Sequence, residues 1–474
     1  MRVNEPTVII ILGATGDLSR RKLLPALFHL YNRNLLPEKF AVVGFSRKDL
    51  SNEDFRKIAK EAVTNKDNSH SEEILNKFLE NISYTQGIFD EKEGYKALNE
   101  SLSDIDNKWG TCSNKLFHLA VPPSLYDDIF EHLAKSGLTI PCGADKGWTR
   151  VLVEKPFGKD LKTARELDVK LGKLFDERQI FRIDHYMAKE ALQDVLSFRF
   201  SNSLFEPLWN KDHIEKIEVK FFETLGMEGR GTFYDGIGAL RDVGQNHMLQ
   251  MLAFATMENP GKLDADAIRK NRAELLGALA PMNKVQIKED TKRGQYDGYK
   301  DESEVESNSK TETYFKIKAY IDNDRWEGMP FYLESGKKMN ESKKEISIYF
   351  KKPTTCICPT EEEHKEHQNV LSFRIDPDEG ISIRFWAKKS GFDMSLEPKE
   401  LSFMYNDKKE NGEKIPDAYE RVLFDSIKGD QTLFASTEEL EASWKFITPI
   451  FEGWKDIELK EYEDGSASEN IINS

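Results

Sequence analysis

The sequence of 474 residues predicts an α/β region built on a doubly wound parallel sheet, followed by an α+β region with a large, mostly antiparallel sheet and packed helices. Up to residue 183, short apolar segments alternate with helical ones, which is typical of a parallel sheet. Beyond residue 200, β-rich segments follow one another without a helix between each pair, as antiparallel strands do. We therefore expect one domain at residues 1–183 and a second at 184–474.

Composition narrows the classes of partner. Hydrophobic residues make up 39% of the chain, charged residues make up 32%, and the formal net charge is -15. This acidic excess argues against non-specific binding to nucleic acid or acidic membranes, although a local basic pocket can still hold a small anion. No apolar run approaches the roughly 20 residues that span a bilayer, and the first residues lack the features of a secretory signal. Four cysteines are too few for a disulfide framework, which favours a cytoplasmic protein.

The first predicted elements are a buried strand at residues 8–12, a glycine turn and a helix at 19–32. Gly13 and Gly16 permit a tight turn and a close approach of the backbone. This arrangement directs backbone N–H groups at an anion, usually a dinucleotide pyrophosphate, and predicts a Rossmann-like sheet. The spacing is Gly-x-x-Gly-x-x-Ser rather than the commoner Gly-x-Gly-x-x-Gly, so a turn that binds nothing is the alternative.

The second strand, residues 40–47, indicates which dinucleotide would bind. It ends in Ser46, Arg47 and Lys48, and the first carboxylate after it is Asp49. An acidic residue at the strand end would accept from the ribose of NAD, whereas arginine pairs with the 2′-phosphate of NADP. The sequence therefore favours NADP, the alternative being an ordinary exposed basic turn.

A further strand-to-loop unit, residues 148–158, contains Lys155 and Pro156 at the predicted strand end, and a helix over residues 161–177 is predicted to follow it. Ligands of open parallel sheets bind at the carboxyl ends of the strands. Lys155 at this place can reach both a cofactor and a substrate hydroxyl. The alternative is an ion pair between Glu154 and Lys155 at the sheet edge.

The segment RIDHYMAKE follows the last strand of the first region and crowds four functional groups together: Asp184, His185, Tyr186 and Lys189. His185 and Lys189 are four residues apart, so they share a face if the segment is helical. Histidine, tyrosine and lysine together suit a phosphate monoester, because they supply charge and hydrogen bonds. Taken one at a time, each of these residues could be surface decoration.

A helical stretch at residues 238–257 presents one apolar face, which Asp242, Asn246 and His247 interrupt. A lone helical histidine is more often a satisfied core residue than a catalyst. His247 becomes a general base if a carboxylate orients its far nitrogen, and Asp184 is the candidate for that role.

The second half contains β-rich segments such as HIEKIEVKFFET and VLSFRIDPDEGISIRFWA, with another helix at residues 437–451. Such a sheet can present a face to another subunit. Residues 300–313 and the tail from residue 460 are polar and acidic, so we expect loops or disorder there.

A Cys-x-Cys plus His-x-x-His pattern is formed by Cys356, Cys358, His364 and His367. Its spacing admits a structural zinc site. The intervening PTEEEHKEH is typical of a solvated loop, so no metal is assigned.

Several segments together resemble the glucose-6-phosphate dehydrogenase family: GATGDLSRRKLLPALF, EKPFGKD, RIDHYMAKE, EGRGTFYDGIGALRDVGQNHMLQML, DRWEGMPFYLESGKKMN and PDAYERVLFDSIKGD. The likeness runs in the same order from about residue 6 to residue 456. It implies NADP-dependent oxidation of D-glucose 6-phosphate to 6-phospho-D-glucono-1,5-lactone, the first step of the oxidative pentose phosphate pathway.

The same resemblance implies roles for individual residues. His247 would take the proton of the C1 hydroxyl, and Asp184 would orient it. Substrate binding is assigned to Lys155, His185, Tyr186, Lys189, Glu223, Asp242 and Lys337. Cofactor binding is assigned to Gly13, Thr15, Gly16, Asp17, Leu18, Ser19, Arg47 and Lys155. The family also implies a homodimer or homotetramer.

Three departures from the family pattern are visible. His118 stands where many members have tyrosine before LALPP, which leaves one cofactor contact open. The second basic substrate residue falls on Ser342, with Lys343 and Lys344 just beyond it, so a replacement by Lys343 is an open alternative. The tail beyond Trp454 does not resemble the segment that holds a second, structural NADP in animal members, and that site is not expected.

Two other functions compete with this one. A sugar oxidoreductase of the inositol or glucose–fructose oxidoreductase type pairs similar domains and a Glu-Lys-Pro motif, but it lacks RIDHYMAKE and the phosphate ligands. A non-catalytic NADP-binding protein could have kept the fold alone. The joint presence of His247, Asp184, Lys155 and Lys189 argues against the second alternative.

Overall fold

A computed structural model describes residues 4–67, 69–141, 147–229, 231–355, 367–405 and 415–473. The first sheet has seven strands in the order β15-β6-β5-β4-β1-β2-β3. Its strands are β1 (Thr7–Leu12), β2 (Phe40–Ser46), β3 (Ile82–Gln86), β4 (Asn114–Leu119), β5 (Thr149–Val153), β6 (Ile180–Ile183) and β15 (Phe434–Ala435).

Strand β1 shows why this sheet is parallel and buried. All six of its residues, TVIIIL, are buried, and it pairs in parallel with β2 on one side and β4 on the other. An apolar run of this kind needs helices on both faces of the sheet. Only β15, contributed by the far end of the chain, pairs antiparallel, with β6. The predicted doubly wound parallel sheet is confirmed.

Helices in the first region begin after a π-helical turn at Ser19–Leu23. They are α1 (Leu24–Asn32), α2 (Asn52–Lys66), α3 (Glu72–Leu79), α4 (Lys92–Trp109), α5 (Tyr126–Lys135) and α6 (Leu161–Gly172). The sequence predicted that the last of these helices would reach residue 177, but it ends at Gly172.

The second sheet has nine strands in the order β14-β13-β12-β11-β7-β10-β9-β8-β16. They are β7 (Ile214–Phe222), β8 (Thr291–Tyr296), β9 (Tyr314–Ala319), β10 (Phe331–Gly336), β11 (Lys343–Phe350), β12 (Val370–Asp376), β13 (Gly380–Lys388), β14 (Leu396–Met404) and β16 (Lys460–Tyr462). Most neighbours are antiparallel, as predicted; β7 with β10 and β8 with β16 are the parallel pairs.

The described part of the second region also contains eight α-helices. They are α7 (Glu190–Phe200), α8 (Gly231–Tyr234), α9 (Leu249–Thr256), α10 (Ala265–Gly277), α11 (Lys284–Asp290), α12 (Ala418–Lys428), α13 (Thr437–Gly453) and α14 (Ser468–Asn473). Of these, α7, α9 and α11 pack directly against the sheet of this region. A nine-residue π-helical segment, Leu240–Met248, leads directly into α9. One continuous apolar core runs through both regions and includes the fully buried Trp209, Trp326, Trp444 and Trp454. No described helix is both long enough and apolar enough to cross a membrane.

The prediction of a loop or disordered tail from residue 460 is wrong. Lys460–Tyr462 forms β16, and the Tyr462 ring packs with Tyr296 and Tyr314 in a small second core. The Tyr462 hydroxyl donates to the carbonyl of Lys337 at 2.8 Å. A single aromatic side chain thus anchors a segment whose composition is polar, which composition alone does not reveal.

The cysteine predictions have mixed outcomes. Cys356, Cys358 and His364 lie outside the described residues, so the zinc pattern is not tested there. His367 is described, and its ring lies 4.0 Å from the Trp386 ring, centroid to centroid. Cys112 is disulfide-bonded, so the low cysteine count does not mean that every cysteine is a free thiol.

Candidate active site

The polar residues predicted from the first region meet where its strands end. Lys155 follows β5 and Asp184 follows β6, and these strands are parallel neighbours. Their carboxyl ends therefore open on the same edge of the sheet. His247 approaches this edge from the π-helical segment Leu240–Met248. Such segments are rare and frequently occur at functional sites.

His247 and Asp184 form a buried hydrogen-bonded pair. Nδ1 of His247 lies 2.5 Å from Oδ1 of Asp184, and the two residues are only 1% and 2% exposed. The same oxygen accepts the backbone N–H of Tyr186 at 3.0 Å. A carboxylate can only accept, so the imidazole proton resides on Nδ1. The lone pair of Nε2 is then free to act, and it faces Lys155 Nζ at 3.1 Å.

Burial and charge set the protonation of this pair. Burial would raise the pKa of Asp184, but the adjacent His247 outweighs it and the pKa is lowered. Burial lowers the pKa of His247; Asp184 opposes this shift and Lys155 adds to it, with a net lowering. At neutral pH the site therefore holds a carboxylate beside a neutral imidazole, which is the state a general base requires.

Lys155 bridges His247 and Asp242. Its Nζ donates to the backbone carbonyl of Asp242 at 3.0 Å and lies 3.2 Å from Oδ1 of the same residue. Burial would raise the pKa of Asp242, but Lys155 and Lys337 lower it overall, so its carboxylate stays charged. The alternative ion pair between Lys155 and Glu154 is not formed, because Glu154 bonds to His118 instead.

Glu223 and Lys337 meet at the ends of two neighbouring strands of the second sheet. Glu223 follows β7 and Lys337 follows β10, and the parallel pairing of these strands aligns their ends. Lys337 Nζ donates to Oε2 of Glu223 at 2.6 Å, and Lys337 is 5% exposed. A carboxylate held by a buried ammonium group is an ordered acceptor for a polar ligand.

Lys189 does not share a helical face with His185. Residues 184–189 form a turn rather than a helix, because α7 begins only at Glu190. The condition under which His185 and Lys189 would share a helical face is therefore not met. Lys189 Nζ instead contacts Oδ1 of Asp376 at 3.4 Å and Oε1 of Glu379 at 3.2 Å. Burial works to lower the pKa of Lys189, but these two carboxylates raise it.

The neighbouring lysine that joins this cluster is Lys344 rather than Lys343. Lys344 Nζ donates to Oδ2 of Asp376 at 2.8 Å, so one carboxylate bridges two ammonium groups. Lys343 pairs with Glu345 at 3.3 Å. The sequence could not choose between the two lysines, because the choice depends on strand register. In that register Lys344 stands opposite Phe221 of β7.

His185 and Tyr186 surround the His247 ring, with ring centroids 5.0 Å and 4.4 Å from it. Burial lowers the pKa of His185 to about 3, so its imidazole is neutral at physiological pH. Burial raises the pKa of Tyr186, so its phenol stays protonated. Both side chains are therefore uncharged groups that can form hydrogen bonds.

The glycine turn after β1 packs tightly against the loop that follows β4. Gly13 has φ +90, and a Cβ at this position would lie 2.3 Å from the carbonyl oxygen of Ala120. Ser19 is fully buried, and within the described chain its Oγ has no hydrogen-bond partner. Thr15 Oγ1 lies 3.1 Å from Ser46 Oγ, linking the turn to the end of β2. A cradle that excludes a methyl group, beside an unsatisfied hydroxyl, fits a dinucleotide pyrophosphate.

Of the other expected cofactor residues, Asp17 is exposed and Leu18 is half-buried. Asp17 contacts Arg21 on the surface at 3.5 Å, and Leu18 immediately precedes the π-helical turn. Arg47 is exposed directly after β2. The Tyr84 hydroxyl lies 2.8 Å from the Ser46 carbonyl and so ties this strand end to β3. The Arg47 guanidinium is therefore available to an anion at the strand end.

Comparison with protein families gives two matches that together span nearly the whole chain. Residues 10–194 match the model described as "Glucose-6-phosphate dehydrogenase, NAD binding domain". Residues 196–472 match the model described as "Glucose-6-phosphate dehydrogenase, C-terminal domain".

Individual relatives agree with this assignment. Glucose-6-phosphate 1-dehydrogenase of Chlamydia muridarum is 39% identical over 475 residues, covering 95% of this chain and 91% of that protein. The cytoplasmic glucose-6-phosphate 1-dehydrogenase 6 of Arabidopsis thaliana is 38% identical, covering 97% and 88%. A solved glucose-6-phosphate dehydrogenase in complex with glucose 6-phosphate superposes with a TM-score of 0.91 at 36% identity, covering 100% and 98%. The enzyme from Mycobacterium avium gives a TM-score of 0.82 at 32% identity, covering 97% and 95%.

Proposed function

The chain belongs to the glucose-6-phosphate dehydrogenase family, and we propose that it oxidises D-glucose 6-phosphate to 6-phospho-D-glucono-1,5-lactone with NADP. The observation that carries this proposal is the buried Asp184–His247 pair, in which Nε2 of His247 bears a lone pair and contacts Lys155 Nζ. That geometry supports proton abstraction. A histidine that merely satisfied the core would not need a charged lysine at its second nitrogen.

In the proposed mechanism, His247 Nε2 takes the proton of the C1 hydroxyl while C1 loses a hydride and its C–O bond becomes the lactone carbonyl. When bound, the nicotinamide ring supplies the acceptor for that hydride. Asp184 stabilises the imidazolium that forms on His247, through the 2.5 Å contact at Nδ1. Lys155, which contacts Nε2 in the free protein, gives way to the hydroxyl and donates to its oxygen.

Substrate binding is assigned to two groups of residues, one for the phosphate and one for the sugar ring. Lys189 and Lys344 would supply positive charge for the phosphate. The carboxylate of Asp376 contacts both of their ammonium groups. Hydrogen bonds to the phosphate would come from His185 and Tyr186. This remote contact supplies binding energy that orients C1 at the reacting end.

The sugar ring would lie between Asp242 and Glu223, whose carboxylates accept hydrogen bonds from its hydroxyl groups. Lys155 and Lys337 already hold these carboxylates in place, at 3.2 Å and 2.6 Å. Carboxylates that are already hydrogen-bonded to a lysine lose little conformational freedom when the sugar binds.

For the cofactor, we assign the pyrophosphate to the turn formed by Gly13, Thr15, Gly16, Asp17, Leu18 and Ser19. Exposed Arg47 at the end of β2 favours the 2′-phosphate of NADP, since no carboxylate precedes Asp49. Lys155 follows β5 and contacts His247, and we assign to it the place where cofactor and substrate would meet.

The decisive experiment is absorbance in the band of reduced nicotinamide, with purified protein, glucose 6-phosphate and either NADP or NAD. We expect fast reduction of NADP and slow reduction of NAD. Comparable rates with NADP and NAD would show that Arg47 does not select the 2′-phosphate and only stacks on the adenine. The absence of reduction in a protein that still binds NADP would overturn the proposal in favour of a non-catalytic binding protein.

The base assignment has its own test. His247→Asn removes the basic nitrogen, so turnover should fall to less than a few per cent while substrate affinity stays nearly unchanged. A variant that kept a larger share of kcat would exclude His247 as the base. Binding of glucose 6-phosphate, followed by calorimetry, checks that the pocket is intact.

We also propose that the chain forms a homodimer, or a homotetramer built from such dimers, through the second sheet. Its edge strand β14 exposes Leu401 and Phe403, 63% and 39% accessible, beside a groove that includes Ile381 and Ile383. Light scattering after size exclusion should show a dimer or larger species, and Leu401→Lys should shift it toward monomer. Cytoplasmic location is supported by the cytoplasmic relative in Arabidopsis thaliana.

A further inference from the structure

Glu154, the residue before Lys155, is held by side chains from three separate parts of the chain. Its Oε1 lies 3.0 Å from Nε2 of His118, and the Tyr419 hydroxyl donates to the same oxygen at 3.3 Å. The Tyr126 hydroxyl donates to the backbone carbonyl of Glu154 at 3.1 Å. We call this set of four residues, Glu154 with its three donors, the Glu154 bracket.

The side chain of the bracket's histidine has a single hydrogen-bond partner among the described residues. His118 lies on β4 and is 0% exposed. Because the carboxylate of Glu154 only accepts, Nε2 of His118 carries the proton and donates it. Nδ1 is buried, and among the described residues it has no hydrogen-bond partner. The His118 side chain therefore holds Glu154 and makes no other hydrogen bond to the described residues.

The tyrosine of the bracket connects it to both ligand regions. Tyr419 lies in the first turn of α12, where Asp417 caps the helix by accepting its N–H at 3.0 Å. Asp417 also pairs with Lys22 at 3.4 Å, in the helical turn that follows the glycine cradle. The Tyr419 ring stacks on His185, with centroids 6.2 Å apart and planes 18° apart. One helix end thus joins the cofactor turn, the phosphate residues and Glu154.

The residue that follows Glu154 of the bracket is Lys155. Lys155 Nζ reaches His247 Nε2 at 3.1 Å and the Asp242 carbonyl at 3.0 Å. Because the four-carbon side chain of lysine has a limited reach, the backbone that precedes it must be held close enough for the ammonium group to contact His247. We propose that His118 and Tyr419, acting through Glu154, are positioning residues that hold the Lys155 ammonium against His247.

The inference rests on the proposed function for its effect on turnover, but the contact that it explains is one between side chains of the protein. Its first test therefore uses no substrate: the titration of His247, followed by NMR of selectively labelled histidine. Withdrawal of the Lys155 ammonium removes a positive charge from Nε2, so the pKa of His247 should rise. We expect a rise in His118→Phe that approaches the one in Lys155→Met.

Turnover gives the second test. In His118→Phe we expect kcat to fall by about 10- to 100-fold, the cost of a misplaced catalytic group, with KM for glucose 6-phosphate changed less than about threefold. His118→Gln keeps a donor that can reach Glu154 and should recover most of the loss. Adding His118→Phe to Lys155→Met should have no further effect, because the residue being positioned is already gone.

Two results would overturn the proposal. One is an unchanged pKa of His247 in His118→Phe; the other is a double variant in which the losses of kcat caused by His118→Phe and Lys155→Met multiply. If His118→Phe fails to fold, Tyr419→Phe carries both tests, since it removes one hydroxyl from the bracket. Tyr95→Phe is the matched control, because it removes a buried hydroxyl that donates to the Phe89 carbonyl. If the wild-type protein oxidises no glucose 6-phosphate, the proposed function fails, and the titration still decides on the bracket.

Discussion

Replacing Asp184 by asparagine removes one negative charge and leaves the shape of the side chain almost unchanged. Oδ1 of Asp184 accepts from both His247 Nδ1 and the Tyr186 N–H, at 2.5 Å and 3.0 Å. Oδ2 is buried and has no partner among the residues described. The amide oxygen of the variant should therefore take the place of Oδ1, since the amide nitrogen there would meet two donors.

In that orientation the imidazole keeps its proton on Nδ1, and only the charge is lost. A hydrogen bond to a charged group contributes about 1.5–3 kcal/mol, and this is the stabilisation that the imidazolium of His247 loses in the transition state. Since about 1.4 kcal/mol corresponds to a tenfold change in rate, kcat of Asp184→Asn should fall by roughly 10- to 150-fold. KM for glucose 6-phosphate should change little.

The assay is the steady-state rate of NADP reduction as a function of pH. Because Asp184 raises the pKa of His247, its loss lowers that pKa and should move the acid limb of kcat/KM to lower pH. Asp425→Asn is the control, since it neutralises a buried carboxylate whose partner is Arg421, at 2.8 Å. A kcat within about threefold of wild type would refute the stabilising role of Asp184. A loss beyond about ten-thousandfold would show the reversed amide and the wrong imidazole tautomer.

Three further substitutions test other parts of the site. Lys155→Met removes the charge that lowers the pKa of His247, so the acid limb of kcat/KM should move to higher pH while kcat falls; an unmoved limb would contradict the contact. Gly13→Ala places a methyl group 2.3 Å from a carbonyl oxygen at φ +90, so cofactor affinity in titrations should fall more than about tenfold and thermal unfolding should show a loss of about 1–3 kcal/mol. Lys344→Met should raise KM for glucose 6-phosphate by about tenfold or more, as loss of a charged contact does, whereas Lys343→Met should leave it near wild type; equal effects would refute the register argument.

Local pattern was sufficient for much of the fold. The buried β1 and its glycine turn were predictable because a β-branched run followed by Gly13 has few other conformations. The strand β16 was not predictable, because it depends on one side chain, Tyr462, fitting a pocket built from β8 and β9. The helix expected to reach residue 177 stops at Gly172, before the turn that begins β6.

The site divides in the same way. RIDHYMAKE and the histidine of the second region could be recognised as chemistry because such side chains seldom gather without a function. The partners of Lys189 could not be recognised, since Asp376 and Glu379 lie almost two hundred positions further along the chain. Nor could Lys344 be preferred to Lys343, because adjacent residues of a strand point to opposite faces and the register of β11 decides between them.

By itself, the sequence determined the order of strands and helices, the kinds of functional group available and the turns that carry them, because these follow from periodicity and from backbone preferences within a few residues. Only the tertiary structure decided that Nδ1 of His247 meets Asp184 while Nε2 meets Lys155, and that Glu154 binds His118 and not its neighbour. Those pairings depend on distances across the fold and on burial, which strengthens each charge and shifts each pKa. Neither quantity is contained in any local stretch of the chain.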